Sequence, residues 1–469
     1  MKTVIQSKEL SKIGYKTDIS RSLAINILSK HCKHQSKEEL KKLLEDIIKQ
    51  PELWRNNEIW SKLALHLSPE NNGVISTAYD LYTDADAAPG KVYGSKYIDT
   101  TAKQQMNIAL KLPVALQGAL MPDAHAGYGL PIGGVLAANN AVIPYAVGVD
   151  IGCRMALTIL NEDEKYVQRY AHQIKKAIEQ HTHFGMDGGL AEPQYHEVLD
   201  SPLFKETELL RNLQSKAARQ LGSSGSGNHF VEFGVIELFD NNELNIPAGK
   251  YTALLSHSGS RGLGAAIAMH YTQIAQQVCK LPREAKNLAW LDLDSETGQE
   301  YWLSMTLAGD YAKACHDRIH YNLSKALGLK PMVKVENHHN FAWKEQLEDG
   351  TNAIVHRKGA TPAHKGQLGI IPGSMTTAGY LVSGMGAASA INSASHGAGR
   401  LMSRSKAKDS FTNSSLKKLL VEAGVSLIGG STEESPLAYK DIESVMQMQE
   451  ELVKIQGRFM PRIVRMNKD

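Results

Sequence analysis

The sequence predicts an α+β fold, in which one large mixed α/β domain follows a small α-helical region. Beyond about residue 90, short β-branched runs alternate with helical segments, without the regular repeat of a parallel βαβ protein. Before that point, apolar residues recur at helical spacing. The chain has 469 residues, of which 42% are apolar and 22% are charged, so its composition is that of a globular protein with a sizeable core.

The N-terminal region contains a clear amphipathic helix. Residues 36–50, SKEELKKLLEDIIKQ, open with a capping box formed by Ser36 and Glu39. Apolar residues then recur at helical spacing, at Leu40, Leu43, Leu44, Ile47 and Ile48. Residues 55–82 have a similar helical pattern. The sequence therefore predicts a small α-helical N-terminal extension over residues 1–90.

A linker is expected between the two regions. Residues 83–95, TDADAAPGKVYGS, are poor in large apolar side chains and contain Pro89 and Gly90, which favour a break in regular structure. We place the boundary near residue 90 and expect residues 91–469 to form the large domain.

The large domain combines strand-like and helical segments. The β-branched runs at 133–151 and 249–262 predict strands. Residues 126–149 carry no charge, but their glycines and prolines indicate a buried loop and strand region rather than a membrane helix. Helices are expected near residues 162–181, 264–281, 306–328 and 436–457.

Charge and cysteine usage set limits on the compartment and the partners. The formal net charge is +3, so attraction to polyanions must come from local patches. The opening MKTVIQSKELSKIG lacks the apolar core of a signal peptide. The cysteines are scattered, which predicts reduced thiols rather than disulfides. We therefore expect a soluble, cytoplasmic protein with no membrane association. The cysteines are Cys32, Cys153, Cys279 and Cys315.

Five short segments each place potential metal ligands beside glycine or a small polar residue. A thiolate, imidazoles and a carboxylate together suit zinc, iron, cobalt or manganese. Gly152 permits a tight turn between the carboxylate and the thiol, so the thiol could bridge two ions while the carboxylate binds the second. The segments contribute Asp150 and Cys153 from GVDIGCR, His229 from SGSGNHFVE, His257 from LLSHSGSRG, His339 from NHHNFAW and His396 from SASHGAGR.

Each of these residues also has a purely structural explanation. A cysteine such as Cys153 after an apolar run is commonly an inert buried thiol, and Asp150 could cap a turn. His257 could end a strand by bonding a backbone carbonyl. A rival metal site is HDRIH, in which His316 and His320 have the spacing of a zinc protease motif. Because the helical pattern continues on both sides, we favour two solvated helix histidines there.

Common nucleotide-binding motifs are absent from the sequence. It contains no G-x-x-x-x-G-K-[ST] loop, no G-x-G-x-x-G opening a helix after a strand, and no K-x-D-G lysine of the usual covalent nucleotidyltransferases. Any nucleotide is therefore held in another way. Backbone N–H groups of the glycine-rich segments 369–375 and 384–389 are candidates, with ordinary tight turns as the alternative.

Basic side chains lie close in sequence to the candidate site residues. The planar guanidinium group suits phosphate, so we expect these side chains to hold a phosphate backbone. For residues 400–408, a solvated helix face is the alternative. The basic residues are Arg154, Arg261, Arg357, Lys358, Arg400, Arg404, Lys406 and Lys408.

Several strings, taken in order, resemble the RtcB family of RNA-splicing ligases. The resemblance runs from about Tyr93 onwards and implies a catalytic domain of RtcB type. The strings are MPDAHAGYG, AVGVDIGCR, GNHF, HSGSRGLG, HHNF, RKGA, GIIPGSM and SHGAGRLMSR.

The resemblance implies a GTP-dependent and Mn²⁺-dependent enzyme with two manganese ions. Such an enzyme joins an RNA 3′-phosphate or 2′,3′-cyclic phosphate to a 5′-hydroxyl, in RNA repair or tRNA splicing. His396 resembles the nucleophile that takes GMP as a phosphoramidate, and Asp123 in MPDAH resembles the carboxylate that orients that imidazole.

The remaining site residues follow from the same resemblance. One manganese would be held by Cys153, His257 and His339, and the other by Asp150, Cys153 and His229. Zinc could compete, because a thiolate is an unusual manganese ligand. The positions that correspond to nucleotide contacts are Asn228, Asn340, Ser374, Tyr439 and Lys468.

The sequence also departs from the family pattern. Thr376 stands where the family usually has glycine, and Gly379 stands where a serine hydroxyl helps to bind guanine. These changes suggest an alternative function, a metal-dependent phosphoesterase that acts on RNA ends without sealing them. A further alternative is a non-catalytic RNA-end binding module that uses residues 1–90 as an adaptor. The expected partners are broken RNA ends and GTP, with a monomeric chain and a protein partner for the extension.

Overall fold

A computed structural model describes residues 5–32, 35–55, 57–68 and 76–468. Within these ranges, the α-helices are α1 (Ser7–Lys12), α2 (Asp18–His31), α3 (Lys37–Lys49), α4 (Ser61–Leu67), α5 (Thr100–Leu110), α6 (Pro144–Val147), α7 (Tyr166–Arg169), α8 (Ala171–His181), α9 (Glu208–Gln220), α10 (Arg261–Val278), α11 (Glu296–Leu327), α12 (Arg404–Ser410), α13 (Asn413–Ala423) and α14 (Ile442–Gln447).

The strands of the described residues are β1 (Thr77–Ala78), β2 (Gly90–Val92), β3 (Ala115–His125), β4 (Ile132–Ala138), β5 (Ala141–Val142), β6 (Arg154–Asp163), β7 (Phe230–Leu238), β8 (Gly249–Ser258), β9 (Cys279–Lys280), β10 (Leu291–Asp292), β11 (Pro331–His338), β12 (Asn340–Gln346), β13 (Asn352–Lys358), β14 (Ala360–Pro362), β15 (Leu368–Ile371), β16 (Gly379–Gly384), β17 (Ser393–Ser395), β18 (Ser426–Ile428) and β19 (Val453–Met466).

Two mixed sheets form the framework of the large domain. The larger sheet has the strand order β11-β6-β8-β7-β19-β16-β15, and β18 pairs with β19 in parallel. The smaller sheet has the order β12-β13-β4-β3-β2. Most of the neighbouring strands are antiparallel. Strands that follow one another in sequence often belong to different sheets. This arrangement, with helices packed on it, confirms the predicted mixed α/β architecture.

The long helix α11 is the central helical support of the large domain. Its first turn is capped by the Ser295 hydroxyl, which accepts a hydrogen bond from the Gly298 N–H at 3.1 Å. The helix ends at Gly328, whose φ of 65° lies in the left-handed region that glycine adopts readily. Buried side chains lie along its whole length, and they share an apolar cluster with α5, α10 and β4.

The N-terminal helices pack around an apolar cluster of their own and dock against the start of α11. The predicted capping box is present, because the Ser36 hydroxyl accepts from the Glu39 N–H at 3.3 Å. Ion pairs connect the helices to α11 and the preceding loop: Arg21 pairs with Glu296 at 3.4 Å, and Lys30 pairs with Asp294. The predicted domain boundary near residue 90 stays a prediction.

Two helix predictions are corrected by the structure. Within 55–82, the α-helix covers only Ser61–Leu67, and residues 77–78 form β1; residues 56 and 69–75 lie outside the described residues. Within 436–457, the α-helix covers only Ile442–Gln447, because the chain then enters β19 and pairs with β16 and β7. In both segments, strand pairing with distant residues overrides the local helical spacing.

None of the helices in the described residues combines the length and the apolar character that crossing a bilayer requires.

The close packing between Gly152 and Gly309 of α11 leads to a testable prediction. Gly152 has a φ of 70°, and a Cβ atom there would lie 2.8 Å from the Gly309 Cα. We expect Gly152→Ala to lower the free energy of unfolding by roughly 3 kcal/mol or more, because the backbone of a packed helix must move. Urea denaturation measures the change.

Gly328→Ala is the matched control for this substitution. Gly328 has a similar φ of 65°, but nothing lies within 4 Å of its Cβ position. Only the left-handed conformation is then unfavourable, at about 1 kcal/mol. Equal losses for the two variants would contradict the steric explanation.

Candidate active site

Antiparallel pairing brings four candidate ligand segments to one end of the larger sheet. Cys153 precedes β6, and His229 precedes β7, while His257 lies near the end of β8, which is antiparallel to both. His339 follows β11, which is antiparallel to β6. The starts of two strands and the ends of two others therefore meet, although their residues are far apart in sequence.

The side chains of these segments converge within hydrogen-bonding distance. The Cys153 Sγ lies 3.4 Å from the His229 Nε2 and 3.2 Å from the His257 Nε2. The His257 Nε2 is in turn 3.2 Å from the His339 Nε2. The donor atoms of Cys153, His229 and His257 all lie within 4.8 Å of one another, a spacing that a metal ion can bridge.

Asp150 joins the cluster from the other side of the Gly152 turn. Its Oδ2 lies 3.0 Å from the His229 Nε2, and its Oδ1 accepts from the Ser260 N–H at 3.1 Å. Gly259 leaves room for this carboxylate, since a Cβ there would lie 2.1 Å from Oδ1. The structure thus brings together all five residues proposed as metal ligands.

Burial controls the charges of this cluster. Burial lowers the pKa of His257 to about 3 and holds that of His339 well below its usual value, so both imidazoles are neutral. Burial, together with the Asp150 carboxylate, raises the pKa of the Cys153 thiol. Burial opposes ionisation of Asp150, but the hydrogen bond with His229 and the contributions of Cys153 and His257 together outweigh it and lower the pKa of that carboxyl. The cluster therefore concentrates nitrogen, oxygen and sulfur lone pairs on neutral imidazoles, one thiol and one carboxylate.

These donors fit a divalent cation. The His257 Nδ1 donates to the Asn228 carbonyl at 2.9 Å, so its Nε2 lone pair faces the neighbouring ligands. The buried His339 Nδ1 has no hydrogen-bond partner among the described residues. The Gly225 N–H donates to the His229 Nδ1 at 3.1 Å, which places a proton on Nε2. A cation at His229 would displace that proton, as metal binding to imidazole generally does.

A second constellation pairs His396 with the buried Asp123. The His396 Nδ1 donates to the Asp123 Oδ2 at 2.6 Å, and the backbone N–H groups of His396 and Gly397 donate to the same oxygen at 3.1 and 3.3 Å. This bond assigns a proton to Nδ1 and leaves Nε2 for other chemistry. The His396 ring lies 5.0 Å from the His339 ring, centroid to centroid, so the pair adjoins the metal-type cluster.

Lys440 is a site residue that sequence reasoning missed. Its Nζ donates to the carbonyls of Pro122 and Ala124 at 3.0 and 2.7 Å, and so holds the backbone on both sides of Asp123. Burial would raise the pKa of the Asp123 carboxyl, but His396 and Lys440 outweigh it and lower this pKa. The string AYKD holds Lys440, and no pattern within it points to the distant Asp123.

Both constellations open into a cleft of about 950 Å³. The predicted nucleotide residues Asn228, Asn340, Ser374 and Tyr439 line it. Lys468 is exposed and is not among the lining residues. The Asn340 Oδ1 accepts from the Gly359 N–H at 2.9 Å, and the Tyr439 hydroxyl donates to Glu434. Four of the five predicted nucleotide positions thus share one cleft with the catalytic candidates.

Three arginines predicted to hold phosphate are instead buried in the protein. Arg154 pairs with Glu336 at 3.5 Å, and Arg357 makes a two-pronged pair with Glu345 at 2.6 and 3.0 Å. Arg261 donates to the Ser223 hydroxyl at 3.0 Å. Their partners and burial leave them unsuited to an RNA backbone, so this expectation was wrong for them. The buried arginines are Arg154, Arg261 and Arg357.

The basic run at residues 400–408 lies at the cleft instead. Arg400 and Arg404 line the cleft, and both pair with Glu434, at 3.0 and 3.2 Å. The Arg404 Nη2 also donates to the Asn228 Oδ1 at 3.3 Å. Lys406 and Lys408 are exposed on the adjoining helix α12. This run is therefore both a helix face and the basic margin of the cleft.

The HDRIH histidines are not solvated, contrary to the sequence prediction. His316 and His320 lie on the buried face of α11, because this helix is covered on the side that faces the larger sheet. Both bond the Ser256 hydroxyl, at 2.6 and 2.7 Å. No carboxylate or thiol of the described residues completes a metal site with them.

Of two further cleft residues, Glu232 was missed, and Lys358 was predicted only as a phosphate-binding side chain. Burial raises the pKa of Glu232 to about 8, which keeps this carboxyl protonated near neutral pH. Burial lowers the pKa of Lys358 to about 7, and its Nζ donates to the carbonyls of Tyr128 and Tyr145 at 2.6 and 3.0 Å. A glutamate two positions after the Phe of GNHF was visible in the sequence, but only the register of β7 shows that it faces the cleft.

Comparisons with known proteins agree with this arrangement. The RNA-splicing ligase RtcB of Escherichia coli K12 is 32% identical over 408 residues, covering 80% of this chain and 97% of that protein. The tRNA-splicing ligase RtcB of Nanoarchaeum equitans is 32% identical over 453 residues, covering 80% and 94%. The counterpart from Thermococcus kodakarensis is 30% identical over 435 residues, covering 77% and 90%.

A family model agrees with these pairwise similarities. The model described as tRNA-splicing ligase RtcB matches residues 104–209 and 199–467, which include every residue of both constellations. The fold, the cleft and these matches together show that the chain belongs to the RtcB family.

Proposed function

We propose that this chain is an RNA ligase that uses GTP and Mn²⁺ to join a 3′-phosphate or 2′,3′-cyclic phosphate end to a 5′-hydroxyl end. The observation that carries the proposal is the Asp123–His396 pair, at 2.6 Å, opening into the same cleft as the Cys153 and histidine cluster. A positioned imidazole and a metal-type donor set are what covalent transfer of a nucleotide requires. The ligase names of the relatives support the same reaction.

The proposed reaction begins at His396. With Asp123 holding the Nδ1 proton, the Nε2 lone pair attacks the α-phosphorus of GTP; a P–N bond forms, and the P–O bond to pyrophosphate breaks. The RNA 3′-phosphate then takes the guanylyl group and restores the free imidazole. Finally the 5′-hydroxyl attacks the activated 3′-phosphorus and GMP leaves. A cyclic phosphate end first requires hydrolysis to the 3′-monophosphate.

The proposed manganese ligands are Asp150, Cys153, His229, His257 and His339. When bound, two divalent cations would neutralise phosphate charge and orient the attacking and leaving oxygens. The chain itself prepares the site, because Asn228 fixes the His257 ring through its carbonyl and Ser260 fixes Asp150. These outer contacts orient the ligands in advance.

The guanine side of the cleft differs from the pattern expected for the family, but hydroxyl groups are still present. Gly379 provides no side chain, whereas Ser374 and Thr377 both line the cleft. Their hydroxyls are 3.0 Å apart, and the Thr377 Oγ1 accepts from the Ser374 N–H at 2.7 Å. We propose that these two hydroxyls, Tyr439 and the buried Glu232 carboxyl bind the nucleotide in place of the missing serine.

The basic margin at Arg400, Arg404, Lys406 and Lys408 is the proposed path of the RNA backbone. Arg400 and Arg404 line the cleft that holds His396, and the exposed Lys406 and Lys408 extend this positive charge along α12, which suits a phosphate backbone. Residues 1–90 remain the proposed attachment point for a protein partner.

A phosphoesterase without sealing activity is the second candidate, because Gly379 removes a hydroxyl from the guanine side.

The first prediction from the proposed function concerns the covalent step. Incubation with α-³²P-labelled GTP and Mn²⁺ should leave label on His396, and His396→Ala should show none. Asp123→Asn should lower the rate of labelling by roughly 100-fold or more, since the amide cannot hold the same imidazole tautomer. Gel electrophoresis and peptide mapping detect the adduct. Turnover of cyclic phosphate ends without an adduct or joined RNA would favour the phosphoesterase.

The second prediction concerns the thiol. Cys153→Ala should weaken Mn²⁺ binding by roughly 100-fold or more, because a ligand loss exceeds the roughly 10- to 100-fold effect of changing a residue that only orients a ligand. Cys279→Ala is the matched control, since Cys279 is also buried but lies in β9, away from the cleft. Isothermal titration calorimetry measures both. Unchanged affinity in Cys153→Ala would refute the proposed ligand set.

The third prediction concerns the pKa of Glu232, which burial raises to about 8. An unfolded glutamate titrates near pH 4.3, so between about pH 4.5 and 8 the native state holds a proton that the unfolded state has lost. The free energy of unfolding should therefore fall as the pH rises through this range, by up to roughly 1.4 kcal/mol per pH unit from this group.

Glu232→Gln should remove that contribution, because glutamine does not titrate. Urea denaturation at several pH values compares the slopes. Glu237→Gln, an exposed position on the same strand, is the control and should follow the parent protein. Parallel slopes for the parent and Glu232→Gln would show that the Glu232 carboxyl is not buried in protonated form.

A further inference from the structure

The HDRIH histidines form a continuous hydrogen-bond chain behind the candidate metal site. The Thr158 Oγ1 lies 2.7 Å from the His320 Nδ1, and the His320 Nε2 lies 2.7 Å from the Ser256 Oγ. The Ser256 Oγ lies 2.6 Å from the His316 Nδ1, and the His316 Nε2 lies 3.2 Å from the Ser258 carbonyl oxygen. All of these groups are buried.

The direction of every bond in this chain is fixed. A carbonyl oxygen only accepts, so the His316 Nε2 donates to Ser258, and its Nδ1 accepts from the Ser256 hydroxyl. Ser256 has then used its only proton, so His320 must donate to it through Nε2. The His320 Nδ1 therefore accepts from Thr158. Burial lowers the pKa of both imidazoles well below the usual value, in agreement with these neutral tautomers.

The chain holds the backbone on both sides of a candidate metal ligand. Ser256 and Ser258 flank His257 in β8, and because side chains alternate along a strand, Ser256 faces α11 while His257 faces the cleft. Thr158 lies on the neighbouring strand β6, which begins directly after Cys153.

The same helix supports the second ligand segment. Gly309 of α11 lies against the Gly152 turn, and the Gly309 carbonyl accepts from Arg154 at 3.3 Å. The turn from Asp150 to Cys153 and the strand of His257 thus rest on one helix. In the chain itself the side-chain atoms of Thr158, His320, Ser256 and His316 are all paired, and a buried polar network of this kind selects a single arrangement of its elements, which apolar packing alone specifies less sharply.

We propose that the chain from Thr158 through His320, Ser256 and His316 to the Ser258 carbonyl sets the position of the His257 ring for metal binding. Ser256 and His316 are positioning residues, which act through the backbone of His257 and do not touch the cation. This inference rests on the proposed metal site. It assigns a role to the HDRIH motif that differs from metal ligation.

Ser256→Ala tests the proposal, because it leaves the His320 Nε2–H and the His316 Nδ1 unpaired. We expect Co²⁺ and Mn²⁺ affinity to fall by about 10- to 100-fold, the range seen when partners of metal ligands are removed. The visible absorption bands of the Co²⁺-loaded protein should also shift. Ser304→Ala is the matched control: Ser304 is buried on α11, the helix that carries His316 and His320, and its hydroxyl has no hydrogen-bond partner among the described residues. It should leave affinity and spectrum unchanged.

A second control separates positioning from general stability. Ile319→Val shortens a buried apolar side chain between the two histidines of α11, and we expect it to lower the unfolding temperature without changing the Co²⁺ spectrum. If Ile319→Val weakens metal binding as much as Ser256→Ala, the chain has only a structural role and the proposal is overturned.

Two more variants cover the remaining outcomes. If Ser256→Ala does not fold, His316→Gln provides the test: its amide can still donate to the Ser258 carbonyl but gives Ser256 no matching acceptor, so we expect the same loss of affinity. His257→Ala distinguishes the two proposals. Unchanged metal binding in His257→Ala refutes the metal site itself, whereas loss in His257→Ala with none in Ser256→Ala or His316→Gln refutes only the positioning role.

Discussion

Antiparallel hydrogen bonding among β11, β6, β8 and β7 is the constraint on which the site depends. Each strand on its own delivers one ligand, and only their shared register places the Cys153 thiol within 3.4 Å of two imidazoles. Because alternate side chains face opposite sides, a shift of one residue in β8 would turn His257 towards α11 and Ser256 towards the cleft. The sheet therefore positions the ligand side chains as well as supporting the fold.

The electrostatics of the cleft follow from this geometry. Removing water from several imidazoles and a thiol keeps them from gaining or losing protons easily, so the site presents lone pairs at little net charge. Asp123 is also buried, yet it stays ionised because His396 and Lys440 surround it. One half of the cleft is thus suited to receiving cations, and the other half holds an imidazole in one tautomer beside them.

Much of the fold class was predictable, whereas the position of most polar residues was not. The capping box at Ser36 and the mixed α/β character are local signals, and both are confirmed. The helix expected over 436–457 was wrong because β19 finds partners far away in sequence. Arg357 and the HDRIH histidines carry polar side chains, so local patterns predicted exposure; their burial depends on partners such as Glu345 and Ser256, which no spacing rule connects to them. The metal-ligand candidates and His396 were singled out by residue type, whereas their assigned roles and Asp123 came from family resemblance; the structure brings these residues together.

The two contacts that α11 makes with the metal-site framework also limit how its length can change. Gly309 meets the Gly152 turn, and His316 meets the strand of His257; they are seven positions apart, about two helical turns, and so share one face. Inserting or deleting a single residue between them would rotate one contact by about 100° relative to the other. The segment therefore accepts changes of side chain at its outward positions, but its residue count is fixed because it must contact the Gly152 turn and the strand of His257 at the same time.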